Sequence, residues 1–261
     1  MASQGIGRDS IIQALVGALE PLAYVLALWE GGAVAFGRVD RWSDIDVCVD
    51  AEDERVGDVF PVAEQALITV APIELKYDVP EASTRGYVQA FYRLKDSPKT
   101  MLVDLAVFRH SEPNKLLEPE IHGRSRFHFN KQNAVTIPAL DRAAFTERIK
   151  TRLGRLALRF DMFSCFVDKE IERGNLIEAV DLYHKMILGS LIEGLRMRYH
   201  AVHYDFGTRY IHYELPAGVV QELTDLHLVA GESDLVRKLA RAKQWFRDTI
   251  SGVEPDSLLP P

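Results

Sequence analysis

Two hydrophobic rhythms divide the chain. Up to about residue 110 the apolar residues gather in short runs rich in strand formers; beyond Asp141 they recur every three or four positions, the period of a helix buried on one face. The first exception is residues 9 to 20, where Ile11, Ile12, Leu15, Val16 and Leu19 predict a helix capped by Asp9 or Ser10 and closed by Pro21. Residues 22 to 30 then read as a strand, and a second begins at Asp44. Residues 53 to 67 predict another helix, interrupted or restarted near Pro61, with strands following over Ile68 to Val79 and Tyr87 to Leu94. Asp96-Ser97-Pro98 supplies a turn before the strand-like run Thr100 to Phe108, so these last two runs should form a hairpin.

Residues 110 to 138 are polar, carry Pro113, Pro119, Gly123 and Pro138, and keep no helical period. They read as an interdomain connection with a short strand at Phe127 to Asn130, and Arg124, Arg126 and Lys131 as its solvated charges. Asp141 is a natural N-cap, and helices are predicted over 142 to 173, 176 to 200, 216 to 229 and, after Ser233, 234 to 250. The tail Leu258 to Pro261 should be disordered. The class this implies is α+β: a strand-rich domain over residues 1–138, then a helical bundle over residues 139–261.

One segment carries the candidate chemistry. Gly31 and Gly32 fall at the exit of the first strand, where backbone amides can face a phosphate. A short connector leads to Asp44 and Asp46, spaced i, i+2, so on a pleat their carboxylates share one face while Ile45, Val47 and Val49 point to a core. Adjacent carboxylates repel unless a cation sits between them, and Mg²⁺ does so while keeping positions open for phosphate oxygens and water. The pattern therefore reads as a metal clamp on a nucleoside triphosphate.

With its glycine turn and Ser43-Asp44-Ile45-Asp46-Val47, this stretch resembles the nucleotidyltransferase superfamily typified by DNA polymerase beta. The resemblance covers roughly the first half of the chain. It implies a mixed sheet flanked by helices and a third carboxylate on a later strand, which the run Thr100 to Phe108 offers as Asp104. It further implies two Mg²⁺ ions held by Asp44, Asp46 and Asp104, and phosphate contacts from Gly31, Gly32, Ala33 and Ser43. Ala33 stands where the family usually has a serine, unless the alignment slides by one residue and Gly31-Gly32 plays the Gly-Gly variant. The missing hydroxyl bears on turnover more than on nucleotide binding.

The two-domain layout is most similar to the small-molecule nucleotidyltransferases that modify aminoglycoside and lincosamide antibiotics. There the helical domain presents an acidic residue and a lysine one turn apart, and Asp181 and Lys185 stand at that spacing. By this likeness Asp181 would be the base toward an acceptor hydroxyl, a role for which Asp104 competes, and Lys185 would contact the triphosphate. The same pair also fits an ordinary surface ion pair. His184 reads as a packing residue, and the loop Tyr204 to Tyr210 as either an acceptor wall or a packed loop. The implied reaction moves a nucleoside monophosphate, AMP from ATP, to a hydroxyl of a small molecule and releases pyrophosphate. Two alternatives stay open: modification of a protein partner, as in toxin–antitoxin pairs, and nucleotide binding without catalysis.

Composition narrows the partners. The chain has 261 residues, 47% of them hydrophobic, enough for two modest cores. Its formal net charge is −7 with no basic block, so nucleic acid is not an expected partner, while an acidic cleft would suit a cationic acceptor. Cys48 and Cys165 have no metal-ligand spacing and fit a reducing compartment. No run of eighteen apolar residues and no secretory leader is apparent, so the expected location is cytoplasmic, away from any membrane.

Overall fold

The computed structural model describes residues 6–80, 86–255 and 258, so all but Leu258 of the predicted disordered tail lies outside the described residues. The chain divides into two compact units, Met1–Leu140 and Asp141–Pro261. The first is built on a six-stranded mixed sheet. Its strands are β1 (Val25–Glu30), β2 (Ile45–Ala51), β3 (Ile73–Asp78), β4 (Tyr87–Leu94), β5 (Val103–Arg109) and β6 (Arg126–Asn130), in the order β3-β4-β5-β2-β1-β6. β2 and β5 pair in parallel; every other neighbouring pair is antiparallel.

Helices α1 (Arg8–Leu19) and α3 (Val56–Val70) cover one face of this sheet, with the four-residue α2 (Gly32–Ala35) between them in sequence. Ile11, Leu15 and Leu19 of α1 and Val59, Ala63 and Leu67 of α3 pack with Ile45, Val47 and Val49 of β2 and with Leu105 and Val107 of β5. Each of these residues is fully buried. Burying one such aliphatic side chain stabilises a fold by about 1.5–3 kcal/mol, and this shared core is what fixes the register of β2. α3 runs straight through Pro61 to Val70, so Ile68 to Val70, expected in a strand, are helical. The buried positions Val56, Val59, Phe60, Ala63, Ala66 and Leu67 form one helical stripe, and their burial overrides the proline.

The opposite face carries a smaller core of Ala27, Trp29, Ala106, Phe108, Leu117 and Val135. Trp29 stacks between Phe108 and Phe127, with centroids 5.7 and 5.4 Å away. Residues 110 to 138 are therefore not a free connection. β6 is the edge strand beside β1, α4 (Pro119–His122) precedes it, and Lys131 donates to the carbonyls of Leu22 and Val25, both at 2.6 Å. Scattered prolines conceal a segment that buries Leu117, Phe129 and Val135.

The second unit is helical: α5 (Arg142–Phe163), α6 (Cys165–Glu172), α7 (Leu176–Leu182), α8 (Gly189–Tyr199), α9 (Ile211–Glu214), α10 (Ala217–His227) and α11 (Glu232–Ser251). Asp141 caps α5 by accepting from the Ala144 amide at 2.9 Å, as its sequence position suggests. The helix expected over 176 to 200 is divided by a π-helical segment at Tyr183–Leu188, with no glycine or proline in 176 to 188 to announce it. Within that segment the buried Tyr183 donates to the Leu226 carbonyl at 3.0 Å. Among the described residues no helix is long and apolar enough to cross a membrane.

Candidate active site

The site begins where β1 stops. After Glu30 the chain turns at Gly31 and enters α2 at Gly32, whose φ of +49° is the left-handed region that glycine tolerates. A Cβ placed on Gly32 would lie 1.7 Å from Oδ2 of Asp46, so the Asp46 carboxylate rests directly on the glycine. Gly31 donates its amide to the Asp46 carbonyl at 3.1 Å, so this amide serves the fold and is not turned toward a ligand. The first amides of a helix, here Gly32, Ala33 and Val34, have no partner inside the helix. Residues Gly31 to Val34 are half-buried.

The far side of α2 is held by the segment before β6. The Arg124 amide donates to the Ala35 carbonyl at 2.8 Å, and Gly123, at φ +76°, passes so close that a Cβ there would stand 2.6 Å from the same oxygen. Nothing in the sequence pattern marks Gly123 as part of the corner; its proximity depends on the pairing of β6 with β1.

β2 and β5 supply the acids. In the parallel ladder Asp46 is the register partner of Asp104, and both are half-buried. Asp44 stands two residues before Asp46, just ahead of β2, also half-buried. The alternation expected for the strand is present: Ile45, Val47 and Val49 are buried and the positions between them open to the other face. Among the described residues the ligand atoms of the three aspartates do not lie within 4.8 Å of one another as a group. Mg²⁺ is usually held by one or two carboxylates and completes its shell with phosphate and water oxygens. Gln89 of β4 donates to Asp104 Oδ1 at 2.7 Å, a contact the sequence reading missed because the β4–β5 register is what brings it there.

Two further residues of β2 share this face. Cys48 lies beyond Asp46, and burial, reinforced by the charges of Asp104 and Asp46, pushes its thiol pKa well up, so it stays protonated. Asp50 is fully buried, ion-paired with Lys115 at 2.5 Å and hydrogen-bonded to His110 at 2.7 Å; it is packed and not part of the open acidic site.

In the connector from α2 to β2, the Ser43 hydroxyl donates to Asp40 Oδ1 at 3.0 Å and accepts from the Asp40 amide at 2.9 Å. The Trp42 amide, then the Ser43 hydroxyl, hold the Asp40 carboxyl below its usual range. Ser43 thus shapes the loop, and the phosphate contact expected of it would require this turn to open. Ala33 offers no hydroxyl. Trp42 is 60% exposed beneath the Arg41 guanidinium, 4.3 Å from its ring centroid.

In the helical unit, Asp181 and Lys185 form an i, i+4 ion pair at 2.8 Å with both side chains largely exposed. Asp181 also borders an open depression with Glu178, Leu176 and Ile177. His184 is hydrogen-bonded to the His227 carbonyl at 3.0 Å, a packing role. The loop from Tyr204 is packed as well: the fully buried Arg196 donates to the carbonyls of Gly207 and Arg209 and to Glu214. His200, His203 and Glu214 bring their ligand atoms within 4.8 Å, a cluster the sequence reading did not single out. Glu214 already meets Arg196 at 2.7 Å and His203 at 3.0 Å, and that adjacent guanidinium disfavours a dication. The cluster reads as a clamp on the loop.

No protein-family model matches the chain, and no curated protein matches it. Among solved structures, one similar chain is an aminoglycoside 6-adenyltransferase from Bacillus subtilis, at 12% identity and a TM-score of 0.35, covering 98% of this chain and 93% of that one. Another is a STING-associated CdnE c-di-GMP synthase from Capnocytophaga granulosa, at 15% identity and a TM-score of 0.32, covering 94% and 79%. Likeness at this level fixes neither the fold nor the activity.

Proposed function

We propose that this chain is a metal-dependent nucleotidyltransferase that moves a nucleoside monophosphate, AMP from ATP, to a hydroxyl of a small acceptor and releases pyrophosphate. One observation carries the reading: the Asp46 carboxylate lies on the glycine corner at Gly32 and is the register partner of Asp104. A glycine corner and a pair of hard-oxygen donors at one end of the sheet support this reading. Oxygen-only donors of this kind fit Mg²⁺, which, when bound, neutralises phosphate charge and orients the reacting oxygens.

Each residue has a part in this reading. Asp44 and Asp46 hold the ion, and the amides that open α2 receive phosphate oxygens. Asp104, which accepts from Gln89, either holds a second ion or takes the proton of the acceptor hydroxyl. Lys185 steadies the triphosphate, and Asp181 is the other candidate base. A cationic acceptor of aminoglycoside type suits the net charge of −7.

Pyrophosphate release should be measured with Mg²⁺ and each nucleoside triphosphate against aminoglycosides, lincosamides and common hydroxylated metabolites. Asp46→Asn is expected to lower transfer at least 100-fold while leaving the melting temperature nearly unchanged, because removing charge from a repelling pair does not weaken the core. Near-normal turnover by this variant would refute the mechanism. A second reading, nucleotide binding without transfer, is favoured by the side chains at Ala33 and Ser43, one lacking a hydroxyl and the other using it on Asp40. Tight ATP binding with no pyrophosphate from any acceptor would select it.

A further inference from the structure

A buried carboxylate stands immediately before the glycine corner, and the proposed chemistry does not use it. Glu30, the last residue of β1, is 2% exposed. Its Oε2 accepts from Arg8 Nη2 at 2.7 Å and Nε at 3.1 Å, and its Oε1 meets His128 Nε2 at 2.9 Å. Arg8 opens α1 and His128 lies in β6, so Glu30 joins three elements at one end of the sheet. The same guanidinium reaches further: Arg8 Nη1 donates to the backbone carbonyl of Asp44 at 2.7 Å. On the other side of that peptide, the Ile45 amide donates to the Leu102 carbonyl at 2.8 Å.

We infer that Arg8, oriented by Glu30 and His128, is a positioning residue that fixes Asp44 relative to the glycine corner; this rests on the metal-site reading above. Asp46 needs no such help, since the β2–β5 ladder and Gly32 hold it. Asp44 lies just ahead of the strand: the Leu102 carbonyl, just before β5, holds the amide side of the Asp44–Ile45 peptide, and Arg8 holds its carbonyl side. The guanidinium does both tasks with donors held at a fixed separation, Nε and Nη2 on Glu30 and Nη1 on the Asp44 carbonyl, whereas a lysine would have to bring one nitrogen within reach of both oxygens. Partners of this kind around a metal ligand change metal affinity by about 10–100-fold when removed.

The test measures Mn²⁺ binding to the nucleotide-free full chain, by the electron paramagnetic resonance signal of free Mn²⁺, alongside the melting temperature. Arg8→Lys is expected to weaken Mn²⁺ binding about tenfold, and His128→Gln, which loosens Glu30 without touching α1, to weaken it less in the same direction. Ile12→Val, a core change on the same helix, controls for destabilisation and should leave Mn²⁺ affinity unaltered. Wild-type affinity in a folded Arg8→Lys protein, or equal losses in Arg8→Lys and Ile12→Val, would overturn the positioning role. His128→Gln decides the question in the same way should Arg8→Lys not fold. A wild-type chain that binds no more Mn²⁺ than Asp46→Asn would be a different failure, bringing down the metal-site reading and this inference with it.

Discussion

Gly32 shows how a single missing side chain builds a site. An alanine there would carry the strain of φ +49° and would put its Cβ 1.7 Å from Asp46 Oδ2, so the carboxylate would have to swing off the corner. Gly37 separates these effects: its φ is +64°, yet nothing stands within 4 Å of the Cβ it would gain. Gly37→Ala should cost about 1 kcal/mol from backbone strain alone and leave metal binding intact. Gly32→Ala should cost roughly 2–4 kcal/mol and also abolish Mn²⁺ binding by the protein that remains folded. Denaturant unfolding and metal titration of the two variants check this pair of expectations, and equal metal affinity in both would mean that the contact between Gly32 and Asp46 is packing alone.

At the scale of elements, α1, β1 and β6 meet on Glu30, and this gives the first unit a specific acid sensitivity. Burial pushes the Glu30 pKa up, but hydrogen bonds from Arg8 and His128, together with their charges, outweigh it, so the carboxyl titrates below its ordinary 4.5. A depressed folded-state pKa adds stability that is complete above the unfolded value and is lost as pH falls through the folded one. Glu30→Gln should therefore be less stable than wild type at pH 7, with the gap narrowing below pH 4.5; chemical denaturation at pH 7 and pH 3.5 measures it, and a constant gap would deny the linkage. This convergence could not be read from the chain, where Arg8, Glu30 and His128 are far apart. What was legible was local: the i, i+2 aspartates, the apolar residues alternating with them, and the strand that offers Asp104. Parallel pairing, the β6 partnership, Gln89 beside Asp104 and the continuation of α3 through Pro61 are set by contacts between distant segments. The polar, proline-bearing look of residues 110 to 138 hid Leu117, Val135 and Gly123, each of which matters through neighbours distant in the chain.

Across the whole molecule, the proposed function asks Lys185 for a positive charge on the triphosphate. Lys185 makes this demand easy to test, because its structural worth is small. Its ion pair with Asp181 is exposed on both sides, with 70% and 52% of the two side chains accessible, and pairs of that kind contribute about 0.3 kcal/mol. Lys185→Ala should therefore leave the unfolding midpoint and Mn²⁺ binding nearly unchanged. If its ammonium offsets charge on the triphosphate, transfer should fall about 100-fold, a loss of about 3 kcal/mol of transition-state stabilisation that no change in folding can explain. Lys185→Arg keeps the charge on a longer, planar group and should recover part of the rate. Full activity in Lys185→Ala, measured with an acceptor that wild type uses, would reduce the Asp181–Lys185 pair to a solvated contact with no part in the proposed transfer.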